Sequence, residues 1–268
     1  MGTALVTGAS AGLGAEFSKL FAADGHDVVL VARRKDRLDE LARDLRAKHE
    51  KLKTHVVPID LGARDAAEKL VAEIDRLGLS IDFLINNAGF GTSGAFHSSD
   101  ANRELEMIQV NITVLVALTR ALLPRMVARG SGRVLNVGST AGFQPGPFMS
   151  VYYASKAFVN SFSEALWYEL KGTGVTVTVS CPGATATEFS GVAGTDKSRL
   201  FAMGAASPQV VARQAYRAMH AGKPMVVHGL KNKIAMQSLR VSPRSVVRAI
   251  AASLNGSASK TKQLEPPG

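Results

Sequence analysis

Tyr152 and Lys156 stand four residues apart in Val151-Tyr152-Tyr153-Ala154-Ser155-Lys156, a spacing that puts them on one face of a helix. A lysine cation beside a phenol favours the phenolate. Bringing a tyrosine from ~10 toward ~7 takes about 4 kcal/mol of differential stabilisation, within reach of one close charge in a partly dry cleft. Such a tyrosine can give a proton to a carbonyl oxygen while a hydride arrives at its carbon. Only Tyr152 has this partner, because the residue four after Tyr153 is Ala157; Tyr153 is read as packing or substrate contact.

Chemistry of that kind needs a hydride carrier, and the N-terminus has a place for one. Ala4-Leu5-Val6-Thr7-Gly8-Ala9-Ser10-Ala11-Gly12-Leu13-Gly14 combines a buried strand, a glycine loop and a helix start. Gly8 lets the chain turn out of the strand, Gly12 lets a pyrophosphate meet bare backbone, and Gly14 lets helix and strand approach closely. The anion would sit on the unpaired amides and positive dipole end of the helix. Where such a unit usually places an acid for the adenosine ribose, at the end of the second strand, stand Arg33-Arg34. A guanidinium accepts no hydrogen bond but pairs with a phosphate, which points to NADP rather than NAD.

The elements that must position these residues alternate regularly. Strands are expected at 27–32, 53–59, 81–85, 133–137, 175–180 and 225–228 after the first, with helices at 13–23, 35–48, 63–77, 100–129, 151–171 and 208–221, the last capped by Ser207 with Pro208 at its first position. This predicts an α/β fold: one doubly wound (Rossmann) parallel sheet of about seven strands, covered on both faces, in a single domain. In such sheets ligands bind beyond the carboxyl ends of the strands. The loops there read Gly8 to Gly14, Arg33-Arg34, Asp60-Leu61, Asn86 to Gly89, Gly138-Ser139 and Pro182 to Ser207.

Taken together, these motifs resemble the short-chain dehydrogenase/reductase family over nearly the whole domain. Thr7-Gly8-x-x-x-Gly12-x-Gly14 resembles its cofactor loop, Asn86-Asn87-Ala88-Gly89 its fourth-strand motif, and Ser139 with Tyr152-x-x-x-Lys156 its catalytic set. Asn111 matches the fourth catalytic position, and Pro182-Gly183 with Thr187 the loop that flanks the nicotinamide. The resemblance implies an NADP-preferring carbonyl reductase or alcohol dehydrogenase. Tyr152 would be acid or base, Lys156 would lower its pKa and bind the nicotinamide ribose, Ser139 would hold the carbonyl oxygen, and Asn111 would link Lys156 to solvent. Cofactor contacts would come from Gly8, Ser10, Gly12, Leu13, Gly14, Arg33, Arg34, Asp60, Leu61, Asn87, Ala88, Gly89, Tyr152, Lys156, Pro182, Gly183, Thr185 and Thr187, with Asp60 on the adenine and Arg33 on the 2'-phosphate. A homodimer or homotetramer is expected. The alternative is a non-catalytic NADPH-binding sensor or scaffold.

Bulk properties narrow the rest. The chain of 268 residues is 46% hydrophobic and 20% charged, enough for one large domain, and no run is expected to span a membrane. The single cysteine, Cys181, is read as a small buried hydrophobe in a reducing, cytoplasmic protein. His97 and His228 are read as surface histidines, and no metal site is expected. The net charge of +10 is concentrated at the end: residues 208–268 hold ten lysines and arginines against Glu265 alone. Nucleic-acid binding would want interleaved aromatics, which are lacking. The chain then divides into a dinucleotide-binding catalytic domain (1–229), a basic amphipathic helical extension (230–254) and a disordered tail (255–268). The extension caps the cleft, packs in an oligomer or touches a membrane surface. The segment 187–207 suits a lid over an apolar substrate.

Overall fold

The computed structural model describes residues 1–186, 188 and 205–256. Among these, seven strands, β1 (Thr3–Thr7), β2 (Asp27–Ala32), β3 (Thr54–Pro58), β4 (Phe83–Asn86), β5 (Gly132–Val137), β6 (Val175–Cys181) and β7 (Met225–Val227), pair in parallel in the order β3-β2-β1-β4-β5-β6-β7. The helices are α1 (Gly12–Ala23), α2 (Lys35–Lys48), α3 (Ala66–Arg76), α4 (Ala101–Ile108), α5 (Val114–Ala128), α6 (Ser150–Glu169), α7 (Pro208–His220), α8 (Leu230–Ser238) and α9 (Arg244–Asn255). The fold is the expected doubly wound, single-domain sheet.

Alternation along each strand builds two cores. Ala4, Val6, Val28 and Leu30 pack against Phe17 and Phe21 of α1, Leu38 of α2 and Met219 of α7. Leu5, Val29 and Val31 face the other way, toward Leu70 and Ile74 of α3 and Leu118 and Met126 of α5. Both faces being covered, the strands read as continuous apolar runs. Strand order reverses between β1 and β4, so the cleft opens at the carboxyl ends of those two strands.

Several boundaries differ from expectation for local reasons. Helix α3 starts at Ala66 rather than Ala63, because the amides of Ala63 and Ala66 bond back to Asp60 and Ala63 in successive tight turns. The Ser207 hydroxyl does not cap α7; it donates to the Gln209 side chain at 2.6 Å. The expected long helix, capped by the Asp100 carboxylate, runs from Ala101 to Ala128 but widens to a π-turn at Gln109–Thr113. By length and composition alone this stretch is long and apolar enough to cross a membrane, as a core helix can be. Here it packs Met107, Leu115, Leu118, Leu122 and Met126 inside the protein. Helix α9 extends through Asn255, beyond the boundary expected for the extension.

Between the two faces lies a buried polar chain. Asn86 donates to Thr119 (3.0 Å) and to Asn136 (2.9 Å), and Asn136 donates to Ser163 (2.9 Å), tying β4, β5, α5 and α6 together. Removing a member leaves buried groups short of a partner. Asn136→Ala should therefore lower unfolding stability by about 2 kcal/mol in urea titration; an unchanged midpoint would show that the chain of bonds contributes nothing.

Candidate active site

The glycine loop meets its neighbours at distances that allow no side chain. Gly8 has φ +67° and Gly12 φ +55°, a region that glycine enters without penalty. A Cβ on Gly14 would lie 2.1 Å from the Gly8 carbonyl oxygen. Ala11 precedes α1 without any side-chain cap, so the first-turn amides stay available to an anion. That is the cradle a pyrophosphate requires. Asn87 closes it, its side chain donating to the carbonyls of Thr7 (2.8 Å) and Gly8 (3.3 Å).

The two arginines differ. The Arg34 guanidinium donates to the Ser10 hydroxyl (3.3 Å) and pairs with Glu188 (2.7 Å), so it stands against the glycine loop. Arg33, more than half exposed, lies 3.5 Å from Glu106. Asp60 accepts from the Gly62 amide at 3.0 Å, and Leu61 is buried in the second core. Thr187 lies outside the described residues, as does most of the expected lid.

Ser139, Tyr152, Lys156 and Asn111 converge at the ends of β4 and β5. Ser139 leaves β5 and accepts from the Ala141 amide at 3.0 Å, which fixes its hydroxyl beside Tyr152. Lys156 is buried and donates to the Val137 carbonyl at 2.8 Å; its Nζ is 5.9 Å from the Tyr152 ring centre. Asn111 sits in the π-turn, accepting from the Phe90 amide (3.1 Å) and donating to Phe90 O and Ser155 (both 3.0 Å). A Cβ on Gly89 would come within 2.9 Å of the Asn111 oxygen and 3.5 Å of Lys156 Nζ. Tyr153 turns away into the core, donating to Asn255 at 3.0 Å, and so packs.

One expectation is corrected. The neighbouring ammonium does not bring the Tyr152 phenol down: burial pushes it up to about 12, against a lowering hydrogen bond from Ser139. Burial also pulls Lys156 down to about 8. In each case the largest cause is desolvation of the charged form. Cys181 is buried and burial pushes its thiol up to about 12, as a packed hydrophobe should be.

Three residues escaped sequence reasoning. Asn160 donates to the Ser139 carbonyl at 3.1 Å and fills the space that Cβ atoms on Gly138 and Gly142 would need; its position on the face of α6 one turn beyond Lys156 was the available signal. His228 is not a surface residue: it is buried, bonded to Ser180 (2.8 Å) and Gln214 (2.9 Å). Asn232 donates to the His228 carbonyl at 2.8 Å and abuts Gly183, where a Cβ would come within 2.6 Å. Together they brace the Pro182-Gly183 loop from behind. His97 is exposed, and the described residues contain no cluster of three metal-ligating side chains.

The short chain dehydrogenase family model matches residues 2–198, and the chain belongs to that family. It is 41% identical over 191 residues to the NADP-dependent 3-hydroxy acid dehydrogenase YdfG of Escherichia coli K12, covering 70% of this chain and 75% of that protein. A short-chain dehydrogenase from Sphingobium yanoikuyae, solved in complex with NADPH, superposes with a TM-score of 0.82 at 32% identity, covering 100% of this chain and 99% of the other. A bulky-bulky ketone specific alcohol dehydrogenase from Comamonas testosteroni gives 0.76 at 28% identity, covering 100% and 97%. The protein is an NADP-using oxidoreductase.

Burial pulls the His228 imidazole down to about 4, so the unfolded chain takes up this proton near its ordinary 6.5 while the folded protein refuses it. The stabilisation is complete above 6.5 and is lost as pH falls toward 4. His228→Gln should shrink the drop in urea-unfolding stability between pH 7 and pH 4.5 by about 2 kcal/mol. Parallel pH profiles for parent and variant would refute the buried, neutral histidine.

Proposed function

We propose that the protein transfers hydride between NADP(H) and a carbonyl or secondary alcohol of a small, apolar substrate. The observation that carries this reading is the convergence of Tyr152 with Ser139 at hydrogen-bonding distance, beside the buried Lys156. When bound, NADPH supplies the hydride; the chain's residues hold and move the proton. Ser139 orients the carbonyl oxygen and Tyr152 donates to it. A phenol kept protonated by burial is the form a reduction needs, and Lys156, pulled down to about 8, can give up a proton near neutral pH. Ala141, Met149 and Tyr153 form a buried apolar cluster against which Tyr152 packs.

Gly8, Ser10, Gly12, Leu13 and Gly14 would hold the pyrophosphate, with Asn87, Ala88, Gly89, Pro182, Gly183 and Thr185 toward the nicotinamide. Arg34 on the glycine loop and the more exposed Arg33 would share the 2'-phosphate. The extension serves as a cap through α9, which sends Val247, Ala251 and Asn255 into the body, while α8 buries no side chain and Leu230, Ile234, Val246 and Ile250 stay exposed. The lone buried thiol of Cys181 supports a reducing compartment such as the cytoplasm.

Tyr152→Phe should lose at least about 10³-fold in kcat on a panel of 3-oxo acids, aliphatic ketones and aryl ketones, while NADPH fluorescence titration shows binding retained. Retained turnover would remove Tyr152 from the reaction, and no turnover by the parent on any of the panel would favour the non-catalytic sensor. Arg33→Asp should reverse the parent's NADPH-over-NADH preference in kcat/KM; an unchanged ratio would leave the phosphate to Arg34.

A further inference from the structure

Phe148 is the one non-glycine residue with positive φ (65°) among the described residues, and a bulky side chain enters that region only where its surroundings force it there. It lies four residues before Tyr152, in the turn that leads into α6. Both sides of this turn are held. The Phe148 carbonyl accepts from the Gly94 amide at 2.8 Å. The preceding carbonyl, of Pro147, accepts from Asn255 Nδ2 at 3.1 Å. The other end of the same amide, Asn255 Oδ1, accepts from the Tyr153 hydroxyl at 3.0 Å. Beneath the turn the Tyr153 ring fills the space a Cβ on Gly146 would occupy, at 2.1 Å.

Asn255 is buried and spends both ends of its side chain on this one corner. It comes from α9, beyond the residues that the family model matches. A residue placed only to end a helix would not reach two partners more than 100 positions away, one on each side of a strained backbone.

We propose that Asn255 is a positioning residue: it clasps the turn of residues 146–149 to α6 and holds Phe148 in its left-handed conformation, setting the wall of the substrate site beside Tyr152. The helical extension thereby takes part in substrate selection. This role rests on the proposed carbonyl chemistry; the clasp does not.

Hydrogen exchange and steady-state kinetics on the full chain test the two parts separately. Asn255→Ala should speed exchange at the Gly94 amide about tenfold while leaving the Gly8–Gly14 amides unchanged. Tyr153→Phe should act in the same direction and add little to Asn255→Ala, since both break one clasp. Phe148→Asn, whose side chain tolerates positive φ, should restore protection in the Asn255→Ala background. On whichever ketone of the panel the parent reduces best, Asn255→Ala should raise KM about tenfold with kcat within about threefold and NADPH affinity unchanged. Unchanged exchange at Gly94 would overturn the clasp. Faster exchange with an unchanged KM would reduce Asn255 to a structural tie, and a parent inactive on the whole panel would defeat the positioning role together with the reading it rests on, leaving the exchange result to judge the clasp.

Discussion

The hydroxyl of Thr7 carries more of this structure than its size suggests. It donates to Ile85 O (3.2 Å) and accepts from the amides of Asn87 and Ala88 (both 3.0 Å), while the Asn87 side chain returns two bonds to the Thr7 and Gly8 carbonyls. These bonds stitch the ends of β1 and β4 where strand order reverses, the one place along the sheet edge at which neighbouring connections leave for opposite faces. The Gly8–Gly14 loop is fixed against Asn87, and Gly89 is fixed against Asn111 and Lys156. The glycine loop and the Asn111–Lys156 group are thus held at a set separation by one seam, without a domain interface between them.

Burial gives the site its chemical character. Burial pushes Tyr152 up to about 12 and pulls Lys156 down to about 8, each because its charged form loses hydration. In this state the Tyr152 phenol keeps its proton.

What the sequence made legible was local. Gly8, Gly12 and Gly14 announce their backbone demands within seven residues, and Tyr152 and Lys156 meet because a helix brings every fourth residue round to the same face. The parallel sheet covered on both faces followed from apolar strands alternating with helices. The sign of the Tyr152 shift did not, because it depends on how deeply the completed fold encloses the pair. His228 looked like a surface histidine from its place at a strand end; its partners Ser180 and Gln214 come from elements 48 and 14 residues away. Asn255 sat at the edge of what composition marks as a tail, and nothing nearby in the chain signals a bond to Tyr153.

The π-turn at Gln109–Thr113 lets one helix serve two layers. In the stretch Ala101–Ile108, Glu104 accepts from Thr92 at 2.8 Å, Glu106 meets Arg33, and Arg103 lies over Phe90 at 3.9 Å, all along the rim of the cleft. Beyond the turn, Leu118, Leu122 and Met126 belong to the core. A uniform α-helix keeps a single angular phase from end to end; the wide turn resets it, as a splice joins two shafts cut at different angles. The rim and the core could therefore change sequence separately, with Asn111 at the splice as the residue common to both.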